Sequence, residues 1–137
     1  MLDGLLQTSV NLRLDKAREC LSNAEKNLED MAFSNAANRS YYCIFHSMRA
    51  VLATVGFSTK KHSGIISEFR RRYIKEGIFP KEFSMIIEDA FDVRNDSDYN
   101  EFYVISKEEV TQQTENAKTF LSAVEKYINT LQPPATT

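Results

Sequence analysis

Two short stretches of this chain carry side chains able to handle phosphate. The first is Asn38-Arg39-Ser40-Tyr41-Tyr42-Cys43-Ile44-Phe45-His46-Ser47-Met48-Arg49. In it Arg39, Tyr42, His46 and Arg49 step by three, four and three residues, so on a helix they share one face. Planar cations set among Tyr and His can grip a phosphate and stack on a base. A central helix covered on both sides would instead hold the same groups in internal hydrogen bonds, and the spacing admits both readings. The second stretch is Arg94-Asn95-Asp96-Ser97-Asp98-Tyr99. Arg94 prolongs the stripe Phe83, Ile87, Ala90 by one more step of four. A guanidinium on an apolar face is costly unless paired, and Asp92, Asp96 and Asp98 are the carboxylates at hand. Asn, Asp and Ser compete for backbone hydrogen bonds, so regular helix is expected to end here. An Arg fixed at a helix end beside a Tyr hydroxyl suits a phosphate. An Arg–Asp clamp with Tyr99 packing the end of the fold suits the pattern equally.

Helices have to position these groups. Leu14, Ala17, Leu21, Ala24, Leu28 and Met31 form one stripe at helical period. Ala37, Tyr41, Ile44, Met48, Leu52 and Val55 form a second, with Ser34 and Asn35 as candidate caps between them and Gly56 as the stop. A third helix is expected from His62 through Ile65, Ile66, Phe69 and Tyr73 to about Gly77. Pro80 suits the first turn of a fourth, carrying Phe83, Ile87 and Ala90. Ser106 and Glu109 have capping-box spacing and open a fifth, with Val110, Ala117, Leu121, Val124, Ile128 and Leu131. Pro133-Pro134 stop it, and the ends, about 1–9 and 132–137, are expected to fray. Long helices with short connections predict an all-α, up-and-down bundle of four to five helices in a single domain over 1–137.

Composition removes several alternatives. With 4 Gly and 3 Pro in 137 residues, an all-β sandwich or a collagen-like chain is excluded. At 42% hydrophobic and 26% charged, the chain is not intrinsically disordered. Its apolar runs are too short for a membrane span. Met1-Leu2-Asp3-Gly4 lacks a basic region and a long apolar stretch, so no secretory signal is expected, and the cytoplasm is the expected compartment. Cys20 and Cys43 fall in helical patterns as small buried residues, and no Cys/His spacing fits zinc. A net charge of −2 argues against a wholesale nucleic-acid coat. Locally, Lys60–Lys75 carries net +5 and Glu82–Glu101 net −6. These segments either neutralise each other in surface pairs or present a basic helix to RNA or an acidic partner. Arg70-Arg71-Arg72 cannot all point one way on a helix.

The set Asn38-Arg39-Ser40-Tyr41-Tyr42, His62 and Arg94-x-x-x-Asp98-Tyr99, in a helical chain of this length, resembles HEPN domains over about residues 10–130. The resemblance implies a bundle that forms a homodimer and brings two Arg motifs into one cleft. It further implies a metal-independent RNA endonuclease with no cofactor. Small bacterial members often act as the toxin beside a minimal nucleotidyltransferase antitoxin, which silences the toxin by adenylylating a tyrosine.

The chain departs from the ribonuclease pattern of Arg, four to six residues, then His: five places after Arg94 stands Tyr99. Cleaving RNA without a metal requires removing the 2′-OH proton, stabilising an anionic phosphorus and protonating the leaving oxygen. Arg94 supplies charge. A Tyr near its ordinary pKa of about 10 is a poor base at neutral pH, where His is far better. His46 shares the Arg39 face. His62 matches a position often His in this branch, where it caps, packs or serves the site. The expected roles are Arg94 on phosphate, Asp98 orienting Arg94 and Tyr99 bonding substrate or acting as acid. Arg39, Tyr42, His46 and Asn95 are expected to line or brace the binding site. Tyr99 or Tyr103 is the expected adenylylation target. Two other functions remain open. One is a non-catalytic nucleotide-binding or docking partner of a nucleotidyltransferase. The other is a plain dimerisation bundle, favoured if the Arg39–Arg49 face is buried and satisfied.

Overall fold

The computed structural model describes residues 2–131. Among these are five α-helices and no strand: α1 (Gly4–Glu29), α2 (Phe33–Ala53), α3 (His62–Phe69), α4 (Glu82–Tyr99) and α5 (Lys107–Thr130). A π-turn, Arg70–Ile74, prolongs α3. The expected all-α bundle is what forms. No helix among the described residues is long and apolar enough to cross a membrane. The expected stop at Pro133-Pro134 lies outside the described residues.

α1 starts earlier than its stripe indicates. The Asp3 side chain accepts from the Leu6 N–H at 2.9 Å, so residues 4–9, expected to fray, are helical. Val10, Leu14, Ala17, Cys20 and Ala24 are buried against α2. The small members of that set let the two axes approach closely. Ser34 and Asn35 do not cap α2. Its N-cap is Ala32, without a side-chain bond, because the connection is set from the other side. Met31 sits at φ 60° while its N–H bonds the Leu28 carbonyl and the Ala32 N–H bonds the Asn27 carbonyl. This is a Schellman ending with a non-glycine residue in the left-handed position. Met31 is therefore 69% exposed and not part of the core stripe.

α2 is the central element, with 13 of its 21 residues buried, so α1, α3, α4 and α5 all pack on it. α5 opens with the expected capping box: Glu109 N–H donates to Ser106 Oγ at 3.0 Å. The main core is aromatic. Phe120 stacks on Phe83 at 4.8 Å and meets Phe69 at a tilt at 5.5 Å, beside Phe79, Tyr73 and Tyr127. A smaller cluster of Ala36, Ala37, Ile105 and Val110, flanked by Val93 and Tyr103, closes the end of the bundle where α4 finishes.

The charged segments are partly self-neutralised. Arg71 and Arg72 both pair with Glu68 (2.9 and 2.7 Å), and Arg70 Nη2 donates to the Ser84 carbonyl. Two of the three arginines thus converge on one carboxylate while Arg70 turns to α4, so they do not all point one way.

Candidate functional site

α4 remains helical through Tyr99, contrary to the expected fading at Asn95–Asp98. The weak helix formers are held by a side-chain bridge one turn long. Arg94 Nε lies 3.2 Å from Asp98 Oδ2, and Asn38 Nδ2 on α2 donates to the same oxygen at 3.2 Å. Asp98 is the expected partner of Arg94; Asp92 and Asp96 make no ion pair with it.

The Arg94 side chain is 15% exposed. Nη2 donates to the Tyr42 hydroxyl at 3.1 Å and Nη1 to Asn95 Oδ1 at 3.3 Å. The guanidinium carbon stands 5.3, 5.5 and 5.8 Å from the ring centroids of Tyr41, Tyr42 and Tyr99. A guanidinium has five N–H donors. Nε faces Asp98 across the ion pair without a hydrogen bond of its own, and one N–H of each Nη is used, which leaves one N–H on each terminal nitrogen. The hydroxyl bound to Arg94 is that of Tyr42; Tyr99 lends its ring and stands 76% exposed at the rim.

Arg39 extends the network. Its Nε and Nη2 donate to Asn38 Oδ1 (3.0 and 2.6 Å), and its guanidinium carbon is 5.2 Å from the Tyr42 centroid. Asn38 therefore couples Arg39 to Asp98, and Tyr42 lies between two cations. Arg94, Asp98, Asn95, Tyr99, Tyr42 and Arg39 converge as expected. Two expected residues do not join them. The Tyr103 hydroxyl donates to Glu109 at 2.7 Å, and burial with that carboxylate pushes its pKa up to about 12. His46 lies at a tilt 6.0 Å from Tyr42, and the charges acting on its ring are those of Lys16, Arg49, Arg13 and Arg39.

His62 is the group that spacing alone left unplaced. The first residue of α3, it brings Nδ1 to 3.1 Å from the Tyr41 hydroxyl and stacks on Phe45 with centroids 4.1 Å apart. Its ring centroid is 5.9 Å from that of Tyr42. Burial, then Arg94 and Arg49, lower its pKa below the ordinary value of 6.5, so the ring is neutral at neutral pH. Burial holds the Tyr41 phenol up at about 12. His62 also lines a groove of about 870 Å³ between α3 and α4, together with Lys61, Arg70, Phe91 and Asp92. The one sequence signal for it was its matching position in the family pattern.

The profile of the HEPN domain family matches residues 10–127. This chain belongs to the HEPN domain family. It is 36% identical to a "UPF0332 protein" of Thermotoga maritima over 85% of this chain and 89% of that one. It is 30% identical to a Methanocaldococcus jannaschii protein named as a candidate toxin, over 84% of this chain and 78% of the other. TT1696 of Thermus thermophilus shares the fold, with a TM-score of 0.72 and 14% identity over 85% of this chain and 96% of that one. The HEPN bundle here holds Arg94 among three tyrosine rings, paired with one aspartate.

His46 supplies a pH signature. Its pKa is pushed down to about 4 by burial and then by Lys16, Arg49, Arg13 and Arg39. Between pH 6.5 and 4 the unfolded ring takes a proton that the folded ring refuses, so stability falls as pH falls through that window. Discounted for the ring's partial exposure, the loss is about 1–2 kcal/mol. Urea unfolding at pH 7 and pH 4.5 should show that much less acid sensitivity in His46→Gln than in the unaltered chain. Equal sensitivity would place the effect elsewhere.

Proposed function

We propose that this HEPN protein is a toxin that cleaves RNA as a homodimer without a metal ion, paired with a nucleotidyltransferase antitoxin. The observation that carries the reading is Arg94, which is ion-paired with Asp98, donates once from each terminal nitrogen to Asn95 and Tyr42, and keeps a second N–H on each of those nitrogens for the oxygens of one phosphate. The relative named as a candidate toxin supports the same role.

His62 takes the part that the missing motif histidine would play. With Nδ1–H donating to the Tyr41 oxygen, Nε2 is left as an acceptor. That nitrogen removes the 2′-OH proton, and the 2′-oxygen attacks phosphorus. The P–O5′ bond breaks, leaving a 2′,3′-cyclic phosphate, and Tyr99 protonates the departing 5′-oxygen. Arg94 carries the charge that builds on the phosphoryl oxygens. Asp98 and Asn95 orient Arg94, while Arg39 and Tyr42 brace it. The exposed apolar run at the α4–α5 connection is Tyr99 (76%), Phe102 (87%) and Val104 (86%); it provides a surface for the second copy. Tyr99 also offers the accessible hydroxyl for adenylylation, since that of Tyr103 is held by Glu109.

A second reading has its own support. Arg94 is mostly covered within one protomer, which suits a non-catalytic subunit that docks a nucleotidyltransferase or binds a nucleotide through the same motif. Incubation with RNA in excess EDTA separates the two. The expected products end in 2′,3′-cyclic phosphate, and His62→Gln should slow their formation by about 10²–10⁴-fold. Intact RNA after prolonged incubation would favour the docking subunit.

A further inference from the structure

The short connection through Asp30–Ala32 folds α2 back along α1, so that residues 13–20 of α1 face residues 39–49 of α2. Arg13, Lys16 and Cys20 step by three and four on α1 and share a face. At one end of this seam Arg39 Nη1 reaches Cys20 Sγ at 3.8 Å. At the other, burial and then nearby Arg13 lower the basicity of Arg49, and both arginines act on His46 with Lys16 and Arg39. The side-chain charges acting on that ring are all positive. None of the four cations makes a salt bridge among the described residues. By contrast, Arg18 on the other side of α1 bonds both Asp15 and Glu125. His46 Nδ1, in the middle of the seam, is buried and has no hydrogen-bond partner.

Glu19 acts at the Cys20 end of the seam, but four cations outnumber it; like charges in excess repel each other, and an anion relieves that repulsion. We propose that Arg13, Lys16, Arg39 and Arg49 form a phosphate track that takes consecutive phosphates of a single RNA strand and leads it to Arg94. The proposal rests on the RNA reading above and assigns the strand outside the reacting phosphate. Two features favour a nucleic-acid strand over an acidic peptide. The track is continuous with the candidate site, because Arg39 stacks on the same Tyr42 whose hydroxyl binds Arg94. It is also linear: Arg39 to Arg49 spans about 15 Å of helix, room for several successive phosphates. Aromatic rings lie beneath both ends, Tyr42 under Arg39 and Phe45 under Arg49 at 5.8 Å.

The test uses a short RNA, fully 2′-O-methylated so that it cannot be cut, and fluorescence anisotropy across a salt series. The double variant Arg13→Gln/Lys16→Gln should bind about tenfold more weakly at low salt. Its plot of log K against log salt should be shallower by about 1.4, at ~0.7 per phosphate contact on a single strand. Lys16 is exposed and Arg13 half-buried on α1, and the melting temperature serves as the folding control. RNA should also raise the His46 pKa, read by NMR of the ring, and raise it less in the double variant. A double variant with unchanged affinity and slope overturns the track. If Arg94→Ala then still abolishes cleavage, the RNA reading survives without it. Polyglutamate bound as tightly as RNA by the unaltered chain, and lost in the double variant, would overturn the assignment in favour of an acidic protein partner. Failure of the unaltered chain to bind the RNA at all overturns both proposals.

Discussion

Replacing Arg94 with alanine is expected to slow metal-free RNA cleavage by at least about 10²–10³-fold, the usual cost of removing a donor that stabilises a developing oxyanion. The helix tolerates alanine at that position. Asp98 stands at the surface end of α4 and regains water when its partner goes, so the fold should survive with a loss of about 1–2 kcal/mol. Lysine is the sharper substitution. It keeps the charge and the pairing with Asp98, yet an ammonium has three donors where the guanidinium has five. Asp98, Tyr42 and Asn95 would consume all three, leaving none for phosphate. Arg94→Lys should therefore be nearly as inactive as Arg94→Ala while melting closer to the unaltered protein. Cleavage at an undiminished rate in Arg94→Ala, measured on the same RNA in EDTA, would remove Arg94 from the chemistry.

The largest effect on stability is expected from Phe120→Ala. Phe120 is fully buried, stacks on Phe83 at 4.8 Å and meets Phe69 at a tilt at 5.5 Å, bringing α5, α4 and α3 to one point. Truncation removes the buried ring and leaves a cavity whose walls belong to three helices and cannot all collapse into it. The expected cost is about 3–5 kcal/mol, or a fall of roughly 10–20 °C in melting temperature for a chain of this length. Tyr99→Ala, on an exposed ring, should cost about 0.5 kcal/mol or less. A small effect at Phe120, by calorimetry or urea unfolding, would mean that the aromatic stack is not where the bundle's stability is concentrated.

The helices were legible because each buries a stripe against the same neighbour along its whole length. Leu14, Ala17 and Ala24 on α1, and Ala117, Leu121, Val124 and Ile128 on α5, repeat at helical period and are buried as that period implies. The Ser106–Glu109 box was legible for a local reason: both partners lie within one turn. What escaped was set by tertiary contact. α4 continues past Asn95 because Asn38, distant in sequence, reaches Asp98. Met31 takes a left-handed conformation that nothing in its side chain advertises. The site divides the same way. Arg94 and Asp98 are one turn apart on a single helix, so their pairing follows from spacing. The tie between His62 and Tyr41 crosses from α3 to α2, and the meeting of Arg13 and Lys16 with Arg49 needs the α1–α2 register. No count along the chain reveals either.

The wide turn after α3 has a bearing on gene length. Lys75 N–H bonds the Arg70 carbonyl at 2.9 Å, so this stretch holds one more residue than regular winding would. Its two sides answer to different neighbours: Tyr73 meets Phe79 and Tyr127, while His62 meets Tyr41. Loss of a single codon between positions 70 and 74 would let the coil tighten and rotate one flank against the other by about 100°. With the aromatic flank anchored, the imidazole would swing away from its phenol. Among related reading frames, an in-frame deletion at this point should therefore mark copies that keep the bundle and have abandoned whatever the histidine does.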